Sequence, residues 1–386
     1  MSYELVTLGD YIDVISGFAF KSKDFQENGV PVIKIKNIST QGVSLDSDSC
    51  VSKEFLTTHS KYALNYDDVL IAMTGSHINQ WASVVGRVAK VKYHENSLLN
   101  QRVGKIVSKD EDQCCLDYVY YFLKQDSVVI ELAGIAGGAA NQANISPGNI
   151  KALKIPFPEV EVQRKIANTL SAYDNLIENN QKQIKLLEEA AQRLYKEWFV
   201  DLHFPGYEDT VIVDGVPEGW SKAKVTDFLE IKYGKDHKKL EEGIIPVYGS
   251  GGIMRKVKPV LYSGESVLIP RKGSLNNIMY VEGDFWTIDT MFYSIPKQKN
   301  VAKYVYLFLK GLDMYSYNIG AAVPSMTVKI LDGIELLAPT DSILKNFENV
   351  LFPIYNRINV LTALCEGAGQ ARDRLLPKLM SGELEV

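Results

Sequence analysis

The side chains here best suited to chemistry are hydrogen-bonding groups gathered in short polar loops. The first loop, Thr74-Gly-Ser-His-Ile-Asn-Gln, offers Thr74, Ser76, His77, Asn79 and Gln80, with Trp81 beside it. A second, Gly134 to Ser146, is rich in glycine and asparagine and offers Asn141, Gln142 and Asn144. In the second half Arg271, Lys272, Ser274, Asn276 and Asn277 form a third, and Ser325, Thr327 and Lys329 a fourth. Lys232, Lys235, His237, Lys238 and Lys239 make a basic cluster, and Lys21 and Lys23 a weaker one. Forked donors and amides match base edges, Arg for guanine and Asn or Gln for adenine. Lysines and glycine-flanked backbone suit phosphate. For each loop the plainer alternative is a solvated surface turn.

Enzymatic chemistry finds no footing. There is no GxxxxGK[ST] phrase, and Tyr248-Gly-Ser-Gly-Gly lacks the lysine of a phosphate-binding loop. No Asn-Pro-Pro-Tyr phrase of the kind adenine methyltransferases carry occurs. The five histidines are scattered and form no close set with cysteine, so neither a metal site nor a catalytic residue is expected. Asp227 with Glu230-Ile-Lys232 has the residue types of a nuclease carboxylate–lysine pair, but such triples arise by chance.

Bulk properties narrow the class further. With 386 residues, 46% hydrophobic and 23% charged, the chain is an ordinary globular protein of two or three domains. A net charge of −5 excludes a generally basic nucleic-acid coat, so any anion-binding surface is local. The opening MSYELVTLGDYIDV has no signal-peptide pattern, and no apolar run is long enough to span a membrane. Cys50, Cys114, Cys115 and Cys365 show no CxxC spacing and read as reduced thiols of a cytoplasmic protein.

The elements that must position these loops are two long helices and the frames between them. Apolar residues recur at Ile166, Leu170, Tyr173, Ile177, Ile184, Leu187, Ala191, Leu194 and Trp198, with Asn180 filling the gap. Steps of 4 and 3 make the seam of a coiled coil, and a buried polar residue at one seam position fixes register. Adding 181 to each position gives Phe347, Leu351, Ile354, Ile358, Leu361, Cys365, Ala368, Arg372, Leu375 and Leu379, mostly apolar and in the same register. Pro353 is expected to bend or interrupt this second helix, and the pair Gly367 and Gly369 to leave it locally loose near 367.

The frames repeat as well. Val267-Leu-Ile-Pro-Arg-Lys-Gly-Ser answers Val69-Leu-Ile-Ala-Met-Thr-Gly-Ser. Tyr304-Val-Tyr-Leu-Phe-Leu-Lys answers Tyr118-Val-Tyr-Tyr-Phe-Leu-Lys, whose tyrosines read as core. Gly320-Ala-Ala-Val-Pro-Ser-Met-Thr answers Gly138-Ala-Ala-Asn-Gln-Ala-Asn-Ile. The expected architecture is α/β (α+β): two similar domains separated by two long helices in an antiparallel coiled coil, an internal duplication with pseudo-twofold symmetry. Its boundaries are a first domain over residues 1–155, a helix over 156–200, a linker over 201–219, a second domain over 220–339 and a second helix over 340–386. A two-headed protein with unequal loops on equal frames suits an asymmetric, interrupted DNA target. The alternative is a coiled-coil scaffold that organises other proteins.

The junction Asn144-Ile-Ser-Pro-Gly-Asn-Ile-Lys-Ala-Leu-Lys-Ile-Pro-Phe-Pro-Glu-Val-Glu-Val-Gln-Arg-Lys-Ile-Ala resembles the phrase I-s-x-x-x-I-x-x-l-x-I-P-l-P-P-l-x-E-Q-x-x-I-a of type I restriction–modification specificity subunits. The likeness extends over essentially the whole chain. Val162 stands where Glu usually precedes Gln163, and the second junction, Leu337-Ala-Pro-Thr-Asp-Ser-Ile-Leu-Lys-Asn-Phe, lacks the Glu-Gln pair. The resemblance implies two target-recognition domains and no catalysis by this chain. It implies double-stranded DNA, two methyltransferase subunits and motor-nuclease subunits as partners. S-adenosylmethionine would then belong to the methyltransferase, and ATP and Mg to the motor-nuclease.

Overall fold

The computed structural model describes residues 3–39, 42–46, 48–138, 142–320 and 322–386. The chain divides into two compact units, Met1–Asn179 with Leu364–Val386, and Asn180–Ala363.

In the first unit the principal strands are β1 (Ile12–Ser16), β2 (Val30–Ile33), β3 (Val69–Ala72), β4 (Val88–Lys90), β5 (Leu98–Leu99) and β6 (Val103–Ser108). One antiparallel sheet has the order β4-β3-β6-β1, while β5 lies parallel to β2 in a second sheet. The period of two in a strand explains why β3 is apolar throughout. Val69 and Ile71 join the core beneath the helices, and Leu70 and Ala72 join a separate core on the opposite face. Helix α1 (Leu116–Lys124) buries Tyr118, Tyr120 and Tyr121 in the first of these cores. The Tyr118 hydroxyl donates to the Pro156 carbonyl at 2.7 Å. Residues 157–159 lead into the first long helix, α2 (Val160–Tyr195).

The second unit repeats this frame with β7 (Leu229–Tyr233), β8 (Glu242–Gly249), β9 (Ser266–Pro270), β10 (Met279–Val281), β11 (Asp284–Thr287) and β12 (Met291–Pro296). The sheet order is β10-β9-β12-β7, and β11 lies parallel to β8, as β5 does to β2. Helix α3 (Ala302–Lys310) corresponds to α1, and the Tyr304 hydroxyl donates to Leu337, which stands 181 residues beyond Pro156. The sheet edges differ: Phe25–Gln26 extends the smaller sheet in the first unit, and Tyr262–Ser263 does so in the second.

Helix α4 (Asp341–Ser381) is continuous through Pro353, Gly367 and Gly369, so of the expected bend or interruption near 353 the interruption does not occur. Proline costs the helix one N–H donor. Its neighbours Leu351 and Tyr355 are buried in the core of the second unit, and that packing outweighs the loss. Within each unit α2 and α4 run antiparallel. Asp174 pairs with Arg372 in the first, and Gln183 accepts from Arg357 at 3.4 Å in the second. The seam positions Ile166, Leu170, Asn180, Ala191, Phe347, Leu351, Leu361, Ala368 and Leu379 are buried. Tyr173, Ile177, Ile184, Leu187, Leu194, Ile354, Ile358, Cys365, Arg372 and Leu375 are half-buried. Off the seam, Leu186 and Phe352 are 64% exposed. Helix α2 ends in a π turn over Lys196–Val200, where Trp198 and Phe199 turn into the core against Phe347. Among the described residues no helix is long and apolar enough to cross a membrane.

Gln163 shows what the junction phrase does physically. Its amide is fully buried, accepts from Cys115 N–H at 3.0 Å and donates to the carbonyls of Pro158 and Gln113. It ties the start of α2 to the start of α1. The position 181 residues later is Leu344, buried in an apolar core, and the second unit ties the two helices instead by an ion pair, Lys303 with Glu348 at 2.6 Å.

Candidate nucleic-acid interface

In the first unit the interface is built at the end of β3. Met73 N–H donates to the Arg102 carbonyl at 3.0 Å, and Ile145 N–H donates to the Met73 carbonyl at 3.0 Å. Thr74–Gly75 then pairs antiparallel with Ala143–Asn144, joining the two loops that the sequence holds about 70 residues apart. The Thr74 hydroxyl donates to Asn144 Oδ1 at 2.8 Å, and Arg102 Nη1 donates to the same oxygen at 3.3 Å. Ser76 donates to the Gln80 carbonyl at 2.7 Å and closes the 3-10 turn Ile78–Ser83.

Thr74 and Ser76 therefore brace the corner from within. Both are 6% exposed, and their hydroxyls are spent within the fold. Asn79, Gln80, Trp81 and Gln142 are exposed, and Asn144 is half-buried. Asn141 lies outside the described residues. A cleft of about 500 Å³ opens here, with Lys36, Gln80, Arg87 and Gln142 among its polar walls. Burial pushes the Arg87 guanidinium below its ordinary pKa.

The second unit builds the same corner at the end of β9. Arg271 N–H donates to Thr290, Met326 N–H donates to Arg271, and Lys272 bridges Ser325. These bonds match Met326 with Ile145, Ser325 with Asn144 and Thr327 with Ser146. The sequence alignment through Gly138 and Gly320 is thus off by one residue, because a glycine-rich loop carries no apolar pattern to anchor its register. Thr327 and Ser146 confirm the shift, since each accepts from a backbone N–H three residues on and caps a short helix.

Other candidates divide by how their polar atoms are used. Asn276 bonds Asp313 and the Met314 N–H, and Asn277 donates to the Ser250 carbonyl at 2.9 Å. Both amides brace neighbouring segments, with Asn276 exposed and Asn277 half-buried. Ser325 donates its hydroxyl to the Val323 carbonyl. Lys272, Ser274 and Lys329 are exposed, Lys329 on the short helix Val328–Asp332. Lys235 is exposed, and its N–H bonds Thr287, which sets it beside the same corner. Lys238 is exposed, with its N–H holding Asp236 Oδ1 and keeping that carboxylate below its ordinary pKa. Lys232 is paired with Glu230 at 2.5 Å, which removes it from the cluster.

Arg102 is the residue the sequence reading missed, along with the hairpin tip at Ser250 whose Ile253 and Met254 are exposed. The signal was present in Asn100-Gln101-Arg102, an amide–amide–guanidinium run just before a strand. Among the described residues no group of three or more His, Cys, Asp or Glu could hold a metal.

Comparison with known proteins agrees with this geometry. The chain is 27% identical over 318 residues to the type I restriction enzyme MjaIX specificity subunit of Methanocaldococcus jannaschii, covering 74% of this chain and 73% of that one. A putative MjaX specificity subunit from the same organism matches all of this chain at 24% identity and 94% of its own length. The crystal structure of a type I restriction–modification S subunit from M. genitalium shares the fold, with a TM-score of 0.60 at 19% identity over 98% of this chain and 96% of that one. The family described as type I restriction modification DNA specificity domain matches residues 2–189 and 217–362, so the chain belongs to that family.

Proposed function

We propose that this chain is the sequence-reading subunit of a type I restriction–modification complex, in which each unit reads one half of an asymmetric, gapped duplex target. One observation carries the reading: the two units share a hydrogen-bonded frame and present different side chains at its corner. Thr74, Arg102 and Asn144 stand in the first where Lys272, Thr290 and Ser325 stand in the second. A frame kept constant while its polar tips differ suits two heads that read different base pairs. The long helices set the gap between half-sites, since helix length grows by about 1.5 Å per residue.

The chain performs no catalysis in this reading. Two methyltransferase subunits supply adenine methylation from S-adenosylmethionine, and motor-nuclease subunits supply ATP- and Mg-dependent cleavage. Exposed apolar residues along the long helices, including Leu176, Leu186, Val350, Phe352 and Val360, offer docking surface for such partners.

Mapping methylated adenine across the host genome with and without this gene tests the proposal. A bipartite, gapped motif that vanishes on deletion is expected. Replacing Arg271 and Lys272 together by Ala is expected to relax one half of that motif and spare the other. Equal loss in both halves rejects the two-headed reading.

A further inference from the structure

The internal duplication allows the two units to be compared atom by atom through their backbone hydrogen bonds. Gly17 N–H donates to Val103 and Phe18 N–H to Leu99; Gly234 N–H donates to Met291 and Lys235 N–H to Thr287. Met73 N–H donates to Arg102, and Arg271 N–H to Thr290. The register β3 with β6, and β9 with β12, continues through these bonds, so Met73 faces Arg102 just as Arg271 faces Thr290. Cross-strand neighbours of this kind have Cβ atoms about 5 Å apart. Each unit therefore roots one arginine in the same corner of the same frame. In the first it stands on the strand entering β6, and in the second on the strand leaving β9. The arginine has changed strands, and the corner has kept it.

The two guanidinium groups are also held alike. Arg102 uses Nη1 to reach Asn144 Oδ1 at 3.3 Å and Thr74 Oγ1 at 3.5 Å. Arg271 uses Nη1 to reach the Asp289 carbonyl at 3.2 Å and lies over the Tyr233 ring at 5.3 Å. Among the described residues neither arginine meets a carboxylate or bonds a protein acceptor through Nε or Nη2. The Nε–Nη2 edge is a planar pair of donors, which fits the O6 and N7 acceptors of guanine. Pinning Nη1 to neutral acceptors orients that edge without neutralising it.

We infer that Arg102 and Arg271 are the paired specificity-determining residues of the two units, each reading a guanine in its own half-site through its Nε–Nη2 edge. This rests on the proposed function and adds the residue and the base. Arg102 carries the sharper test, because its side chain is exposed.

The full chain, purified with the subunits that accompany it, is presented with a random duplex library, and the bound fraction is sequenced. Wild type serves as the control: no bipartite consensus would reject the proposed function itself. Given that consensus, Arg102→Ala is expected to erase preference at one guanine in one half, with roughly a 5- to 150-fold loss of discrimination there and none in the other half. Arg102→Lys is expected to weaken that preference while retaining binding to non-specific duplex, since lysine keeps the charge and a donor for guanine but loses the fork. Arg271→Ala is expected to act on the opposite half. Uniformly weaker binding by Arg102→Ala with the guanine preference intact would assign the residue to phosphate and overturn the inference. So would an unchanged consensus from Arg102→Ala, or loss in both halves.

Discussion

Asp174, half-buried beside α4, collects the charges of the first unit: Arg372 pairs with it, Lys124 lies at 3.3 Å, and the Tyr121 hydroxyl donates to it at 2.8 Å. Burial alone would raise its pKa, but Lys124, Arg372 and Tyr121 outweigh burial and hold the carboxyl below its ordinary range. A carboxylate depressed in the folded state contributes fully above its unfolded pKa of about 3.9 and loses that contribution as pH falls further. The melting temperature is therefore expected to drop below about pH 4, and Asp174→Asn to flatten that part of the profile. At neutral pH the same variant takes the carboxylate from Lys124 and leaves Arg372 with Asp373 at 2.7 Å, and it is expected to cost about 2 kcal/mol, the low side for a buried pair because these groups are partly exposed and one keeps a partner. Thermal unfolding of both proteins from pH 2.5 to 7 decides the matter; superimposable profiles would refute it. Residue types were legible in the sequence here, but roles were not. Spacing gives no sign that Thr74 bonds Asn144 or that Asn276 bonds Asp313.

The long helices were the most legible elements, because a 4-3 apolar stripe survives any tertiary context. The seam carries one anomaly: Asn180 is 3% exposed, and among the described residues its Nδ2 has no hydrogen-bond partner. A buried unpaired donor costs about 1–3 kcal/mol, so Asn180→Leu is expected to raise the melting temperature. A fall would mean that the amide contributes more to register than it costs. Gly367 offers a second case. A Cβ there would meet nothing within 4 Å, and Gly367→Ala is expected to stabilise α4 by about 1 kcal/mol, read as a higher unfolding midpoint. What the sequence overstated was the disruption by Pro353, since local propensity was weighed without the buried neighbours that hold the helix.

At the scale of the whole chain, the duplication turns single substitutions into half-specific ones. Gly17 and Gly234 hold equivalent places, where an added Cβ would overlap the carbonyl oxygens of Asn100 and Ile288 respectively. Neither glycine adopts a left-handed conformation; the demand is for close approach of backbone. Gly17→Ala is expected to abolish one half of the recognised sequence and Gly234→Ala the other. Selection from random duplexes shows this directly, and a variant that erased both halves would mean that the units do not fold or bind independently. The partition into two units predicts, moreover, that calorimetry of either variant departs from a single two-state transition.

The sequence by itself determined the duplication and the helix seam, because each is written in a pattern local to one segment: a repeated strand phrase and a heptad. The tertiary structure alone decided which polar groups remain available. Availability depends on pairings across 42 to 70 residues, such as Arg102 and Thr74 with Asn144, that leave no trace in spacing. It also decided the one-residue register of the glycine-rich loops and the change of strand by the corner arginine. Backbone hydrogen bonds record such equivalences where side chains have diverged.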